Sequence, residues 1–167
     1  DSLTLLGTVQ QAQERHQDAL VTAETALKYG PNLRGLRYNY ATALEKVGRG
    51  SEALGVFEKL ARQELDTPDL ALHFSRALYA EGRKTDAEAM ALKAVELWPH
   101  VAALHSSLSR MRQLAGAAEA SVAANEAAIQ AFPKDLSLRL ACADSLHRGG
   151  YNAKAFNVLE EALRLAP

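Results

Sequence analysis

The chain has 167 residues, with 19 Lys and Arg against 20 Asp and Glu, a formal net charge of −1. A soluble chain of this size buries roughly 70% of its unfolded surface, so one domain or a short repeat array needs no disulfide or metal to hold it. The near-neutral balance argues against a nucleic-acid or membrane-surface binder driven by bulk charge.

From the first residue onward, "DSLTLLGTVQQAQERHQ" lacks the basic then apolar profile of a signal peptide, and no later stretch is apolar for the length of a membrane span. The chain begins without Met and stops at Pro167, which reads as a segment cut from something longer. Its one cysteine, Cys142, has no internal partner, and this favours a reducing, cytoplasmic compartment.

The first internal signal comes from the prolines. Pro31, Pro99, Pro133 and Pro167 are spaced 68, 34 and 34 residues apart, and the missing proline would fall at Leu65, with Pro68 close by. Glycines keep the same period at Gly48, Gly82, Gly116 and Gly150. Small residues do so at Ala19, Ala53, Ala87, Ser121 and Ala155, and a further series runs Ala26, Leu60, Ala94, Ala128 and Ala162. The period marks a five-fold array of a 34-residue unit, roughly 1–33, 34–67, 68–101, 102–135 and 136–167.

Apolar spacing inside each unit is helical. In the third unit, Leu70, Phe74, Ala77 and Leu78 form one stripe, and Ala87, Ala91, Ala94 and Val95 form a second. "AEGRKT" separates them, with Gly82 placed to end the first helix in a left-handed conformation. Proline is expected to open the next pair, because it starts a helix well but cannot continue one. Gly7, Ala41, Ser75, Ser109 and Ala143 are expected to oppose the Ala19 series and let the paired helices approach closely. The fourth unit deviates: Arg112 and Asn125 stand where Leu44 and Phe57 stand in the second, so looser packing is expected there.

This helix-turn-helix unit, with its pattern of small residues, large residues and proline, resembles the tetratricopeptide repeat over the whole chain. "PDLALHFSRALYAEGRKTDAEAMALKAVELWPHV" carries the resemblance most fully, and the fifth unit nearly as well. The family's frequent early tryptophan is replaced by Leu3, Arg37, Ala71, His105 and Arg139. The resemblance implies an all-α fold: a right-handed superhelical α-solenoid of about ten antiparallel helices, forming a single repeat domain over 1–167.

No enzyme signature stands out. His16, His73, His100, His105 and His147 show no i, i+4 pairing and no cysteine pair nearby, so no metal site is expected. "GRGSEA" at 48–53 follows a helix rather than a strand and reads as an interhelical turn, not a dinucleotide fingerprint. Cys142 falls in the apolar Tyr40, Phe74 and Leu108 series and reads as packing. Neither a catalytic site nor a cofactor is expected.

The resemblance also implies that the first helices line a concave groove for a peptide or partner helix. Columns 34 residues apart give its polar lining: Asn39 and His73, then Thr42, Arg76 and Arg110, then Gln11, Glu45, Tyr79 and Gln113, with Tyr38 at the mouth. The candidate peptide-binding residues are therefore Asn39, Thr42, His73, Arg76, Tyr79, Arg110 and Gln113. Asn can bond an extended backbone, and Arg can hold a carboxylate through two bonds. The competing reading pairs Arg76 and Arg110 with Glu45 and Asp144 on a solvated face. Some members of the family grip acidic chaperone tails with a Lys, Asn, Asn, Lys, Arg set. The matching positions here are Thr4, Thr8, Asn39, Asp69 and His73, of which only Asn39 fits, and Asp69 would repel an acidic tail.

The expected function is a protein–protein interaction scaffold or adaptor with a protein or peptide partner, rather than nucleic acid or membrane. Two alternatives stand beside it. One is the recognition arm of a larger enzyme, with a transferase or oxygenase domain beyond residue 167. The other is a self-associating structural spacer, with a homodimer formed through exposed terminal helices, where Leu146, Phe156, Leu159, Leu163 and Leu165 include residues that would face a following helix.

Overall fold

The computed structural model describes residues 2–165; Asp1 and the last two residues, including the Pro167 that closes the proline series, lie outside the described residues, as do the side chains of Ser2, Thr4 and Gln11. Ten helices make up the described chain: α1 (Ser2–Ala12), α2 (His16–Tyr29), α3 (Arg34–Lys46), α4 (Gly50–Gln63), α5 (Pro68–Ala80), α6 (Lys84–Leu97), α7 (Ala102–Leu114), α8 (Ala118–Ala131), α9 (Leu136–Arg148) and α10 (Asn152–Leu165). No strand occurs among the described residues. No helix among them is long and apolar enough to cross a membrane.

Within each pair the turn is the same device. The glycines at 48, 82, 116 and 150 have φ between 78 and 84°, and the following residue donates back across the helix end: Arg49 to Leu44 O, Arg83 to Leu78 O, Ala117 to Arg112 O and Tyr151 to Leu146 O. The glycine's own N–H bonds one turn inside that (Gly48 to Glu45 O, Gly116 to Gln113 O), which completes the two-bond Schellman closure. In the first pair Glu14 takes this position with φ 58°, a left-handed conformation held by a residue with a Cβ.

Between pairs, the prolines do not open the next helix. Pro31, Pro99 and Pro133 occupy the second position of four-residue turns closed by Leu33 N to Gly30 O, Val101 N to Trp98 O and Asp135 N to Phe132 O. The proline ring fixes the φ that this turn position requires, and the helix begins three residues later. Among the described prolines, only Pro68 stands at the first turn of a helix, behind Thr67, whose side chain caps Leu70 N.

The chain forms two compact units, Asp1–Arg83 and Lys84–Pro167. In the first, α1 to α5 pack in sequence and α3 also touches α1 and α5. Its core is built on Leu20, Leu44, Phe57, Leu60, Leu70 and Leu78, all nearly or fully buried; each such side chain contributes about 1.5–3 kcal/mol. In the second, α6 to α10 pack in sequence and α7 also touches α9. Leu104, Leu108, Met111, Leu138, Cys142 and Leu146 fill it.

The small residues are buried as their spacing requires, Ala41, Ala53, Ser75, Ala87 and Ser121 among them. In α7 and α8 they meet directly, with the Ser109 and Ser121 hydroxyls 3.1 Å apart. The fourth repeat is not simply loose. Ser121 also donates to Ser109 O at 3.0 Å, and Asn125 Nδ2 donates to Ser145 Oγ at 2.9 Å. A buried polar seam thus replaces the apolar contact that Phe57 makes in the second repeat, and Arg112 turns outward to pair with Glu88 at 2.8 Å.

Three residues at the missing-tryptophan position share a role. Arg37 Nε, His105 Nε2 and Arg139 Nη2 each donate to the carbonyl of the proline six residues earlier, at 2.8, 2.9 and 2.9 Å. They tie each pair's first helix to the turn before it.

Candidate functional site

In the first unit, α3 and α5 carry five of the seven candidate residues. Thr42 is buried, and its hydroxyl donates to Asn39 O at 2.9 Å within its own helix. Asn39 and Tyr79 are half-buried. His73 is stacked on Phe57, with ring centroids 5.8 Å apart, and meets Tyr38 edge-on at the same distance. Its Nδ1 donates to Glu45 Oε2 at 2.6 Å. Burial pushes the Glu45 carboxyl up, but the hydrogen bond and attraction of His73, with Arg76 and Lys46 behind, hold it below the ordinary carboxylate range.

Arg76 is exposed, and among the described residues it makes no hydrogen bond or ion pair. Arg110 is its counterpart on α7 in the second unit, likewise exposed and unbonded among the described residues. The pairing with Glu45 and Asp144 that would have occupied them does not form: Glu45 is taken by His73, and Asp144 by Arg148 at 3.1 Å. The reason is proximity, since Arg148 lies one turn along α9 from Asp144. Gln113, on α7, is half-buried, and its Nε2 lacks a hydrogen-bond partner among the described residues.

A cleft of about 310 Å³ in the first unit is lined by Arg34, Gly35, Tyr38, Leu60, Asp66, Thr67, Asp69 and Leu70. Sequence reasoning placed Tyr38 at a mouth but missed the cleft. The available signal was the break in the proline series: with Leu65 where proline stands elsewhere, the connection runs extended through Glu64 and Thr67. That connection brings Asp66 against Arg34. The Arg34 guanidinium holds Asp66 through two bonds, Nε at 2.9 Å and Nη2 at 2.8 Å, and also donates to Leu60 O and Glu64 O at the end of α4. Tyr38 has its phenol pushed up to about 12, first by burial and then by the charges of Asp69 and Glu45.

Cys142 is fully buried, and burial, with the Glu126 charge, pushes its thiol up to about 11 against the opposing pull of Arg139. Among the described residues no group of three or more His, Cys, Asp or Glu side chains is placed to hold a metal ion.

No protein-family model matches the chain, and no curated protein does. Solved structures do. A thermophilic tetratricopeptide-repeat protein of Thermus thermophilus, TTC0263, is 23% identical over 99% of this chain and 91% of its own, with a TM-score of 0.79. A tetratricopeptide repeat protein of Parabacteroides merdae is 21% identical over 99% of this chain and 64% of its own, with a TM-score of 0.81. YrrB, described as a tetratricopeptide-repeat protein with an unusual peptide-binding site, is 16% identical over 99% and 85%, with a TM-score of 0.70. With ten helices joined by a recurring glycine turn and this likeness over nearly the whole chain, the protein has the all-α tetratricopeptide-repeat fold.

Proposed function

We propose that the chain is a non-enzymatic interaction scaffold that binds a peptide or protein segment through the first helices of its repeats. One observation carries the reading: Arg76 and Arg110 occupy equivalent positions on α5 and α7, exposed and without a hydrogen bond or ion pair among the described residues, while Arg34, Arg49, Arg112, Arg139 and Arg148 are all paired. A guanidinium with no hydrogen bond to give up can hold a carboxylate or a backbone carbonyl at about 1.5–3 kcal/mol per charged bond. Two or three such bonds made within one unit, with apolar packing, reach about −8 kcal/mol, the micromolar range. Support also comes from YrrB, a protein of the same fold described by its peptide-binding site.

The test is retention of cell proteins on the immobilised chain beside its Arg76→Ala/Arg110→Ala variant. A partner held by the first and lost by the second supports the reading. A partner held equally by both moves the contact away from α5 and α7.

A second reading, self-association, has its own observation. Phe156 and Leu163 of α10 are 61% and 75% exposed, and Leu159 between them is also exposed, one apolar stripe along a single helix. Sedimentation of the chain against Phe156→Lys/Leu163→Glu decides it: dimers that disappear in the variant support this surface, and a monomer at all concentrations removes it.

A further inference from the structure

The cleft between α3, the end of α4 and the start of α5 has a composition that selects its occupant. Half-buried Tyr38 forms an apolar wall over a floor of nearly buried Leu60 and Leu70, and Gly35 leaves its α3 side open, since a Cβ built there meets no atom within 4 Å. Three charged residues line it: Arg34, Asp66 and Asp69. Arg34 is already committed, bonded through two contacts to Asp66 and to two backbone carbonyls. Its charge cancels that of Asp66, and it has little left to offer an incoming carboxylate. Asp69, exposed in the first turn of α5, makes no hydrogen bond or ion pair among the described residues.

We propose that this cleft receives a basic side chain, lysine or arginine, from a partner polypeptide, with its aliphatic stem along Tyr38 and its cationic head on the Asp69 carboxylate. A lining of two carboxylates and one neutralised guanidinium complements one positive charge, and an apolar trough suits a side chain that buries its stem while its head stays polar. The Tyr38 ring adds an aromatic face for the cation. Burial is the main cause of the raised Tyr38 phenol, and the charges of Asp69 and Glu45 add to it by opposing a further negative charge there. An anionic residue would meet Asp69 directly. The inference rests on the peptide-binding reading above and names the chemistry of one contact within it.

The test is selection of phage-displayed random peptides on the whole chain, followed by affinity measurement of the selected peptides by fluorescence polarisation. The expected result is enrichment of Lys or Arg at one position, with a loss of about tenfold in affinity on Asp69→Asn. Gly35→Leu, which fills the mouth of the cleft within a helix that tolerates a larger residue, is expected to cause at least a similar loss. Circular dichroism confirms that both variants fold. Selected peptides with no basic enrichment, or with unchanged affinity for both variants, overturn the cleft assignment and leave peptide binding standing. Enrichment of acidic residues overturns its charge logic. A selection that yields no binding peptide removes the peptide-binding reading itself, and this inference with it.

Discussion

His73 of α5 donates from Nδ1 to Glu45 Oε2 of α3 at 2.6 Å, a bond that joins the first helices of two successive repeats and leaves Arg76 without a carboxylate partner. The Glu45 carboxyl is held below its ordinary range, so the folded state binds its proton less readily than the unfolded chain does. The stability this contributes is complete above the unfolded carboxyl's pKa and is lost as pH falls through the depressed folded value. Urea midpoints for wild type and Glu45→Gln, followed from neutral pH through the carboxylate range, are expected to differ at neutral pH and converge in acid. Equal midpoints at neutral pH would show that the bond contributes nothing.

Ser145 accepts from Asn125 Nδ2 at 2.9 Å in a site where Asn125 is fully buried. Ser145→Ala strands that donor and is expected to cost about 1–3 kcal/mol in urea unfolding. Asn125→Leu/Ser145→Ala removes both partners together and restores an apolar contact. It is expected to lie within about 1 kcal/mol of wild type, so the double variant should be more stable than the single one.

The left-handed turn position gives a reciprocal pair of substitutions. Gly116 has φ 78° and Glu14 has φ 58° at the equivalent place. Gly116→Ala puts a Cβ into the strained region and is expected to lower stability by about 1 kcal/mol, while Glu14→Gly is expected to raise it by about 0.5 kcal/mol after the extra chain entropy of glycine is offset. Thermal unfolding of both variants reads the opposite signs. A loss on Glu14→Gly would mean that its side chain matters more than its backbone.

Cys142 is enclosed by the core of the second unit and its thiol is pushed up to about 11. A thiol reagent at mildly alkaline pH is expected to leave it unmodified in the native state and to modify it on unfolding, because thiolate is scarce and access is closed. Modification at the same rate with and without denaturant would show that α8, α9 and α10 open readily around it.

Much of this architecture was legible in the residues alone. Ten helices in pairs, the glycine turns and the small-residue seams follow from contacts between residues close in sequence, repeated every 34 positions. A left-handed turn favours glycine, so Gly48, Gly82, Gly116 and Gly150 announce four of these turns without any tertiary information, while Glu14 holds the first one unannounced. Proline marks the boundary in each case, but only Pro68 among the described prolines also opens a helix, and Pro31, Pro99 and Pro133 sit in the turn before one. Both roles use the same fixed φ, and only the hydrogen bond from three residues on (Leu33 N to Gly30 O and its equivalents) separates them.

The polar partners were decided by the tertiary structure. Glu45 lies within reach of His73 and under the charge of Arg76, and it bonds the first; Asp144 turns to Arg148 on its own helix rather than to Arg110. Surface pairs of this kind differ by about 1 kcal/mol or less, so a shift of an ångström in helix packing chooses among them, and a column of residue types has no record of that shift. Arg34, Asp66 and Asp69 meet across a connection that breaks the repeat, where periodicity has nothing to report. Sequence by itself determined where the helices turn and pair, because those choices are local and large in energy. Only the packed structure decided which charges are paired inside it and which stay exposed without a hydrogen bond.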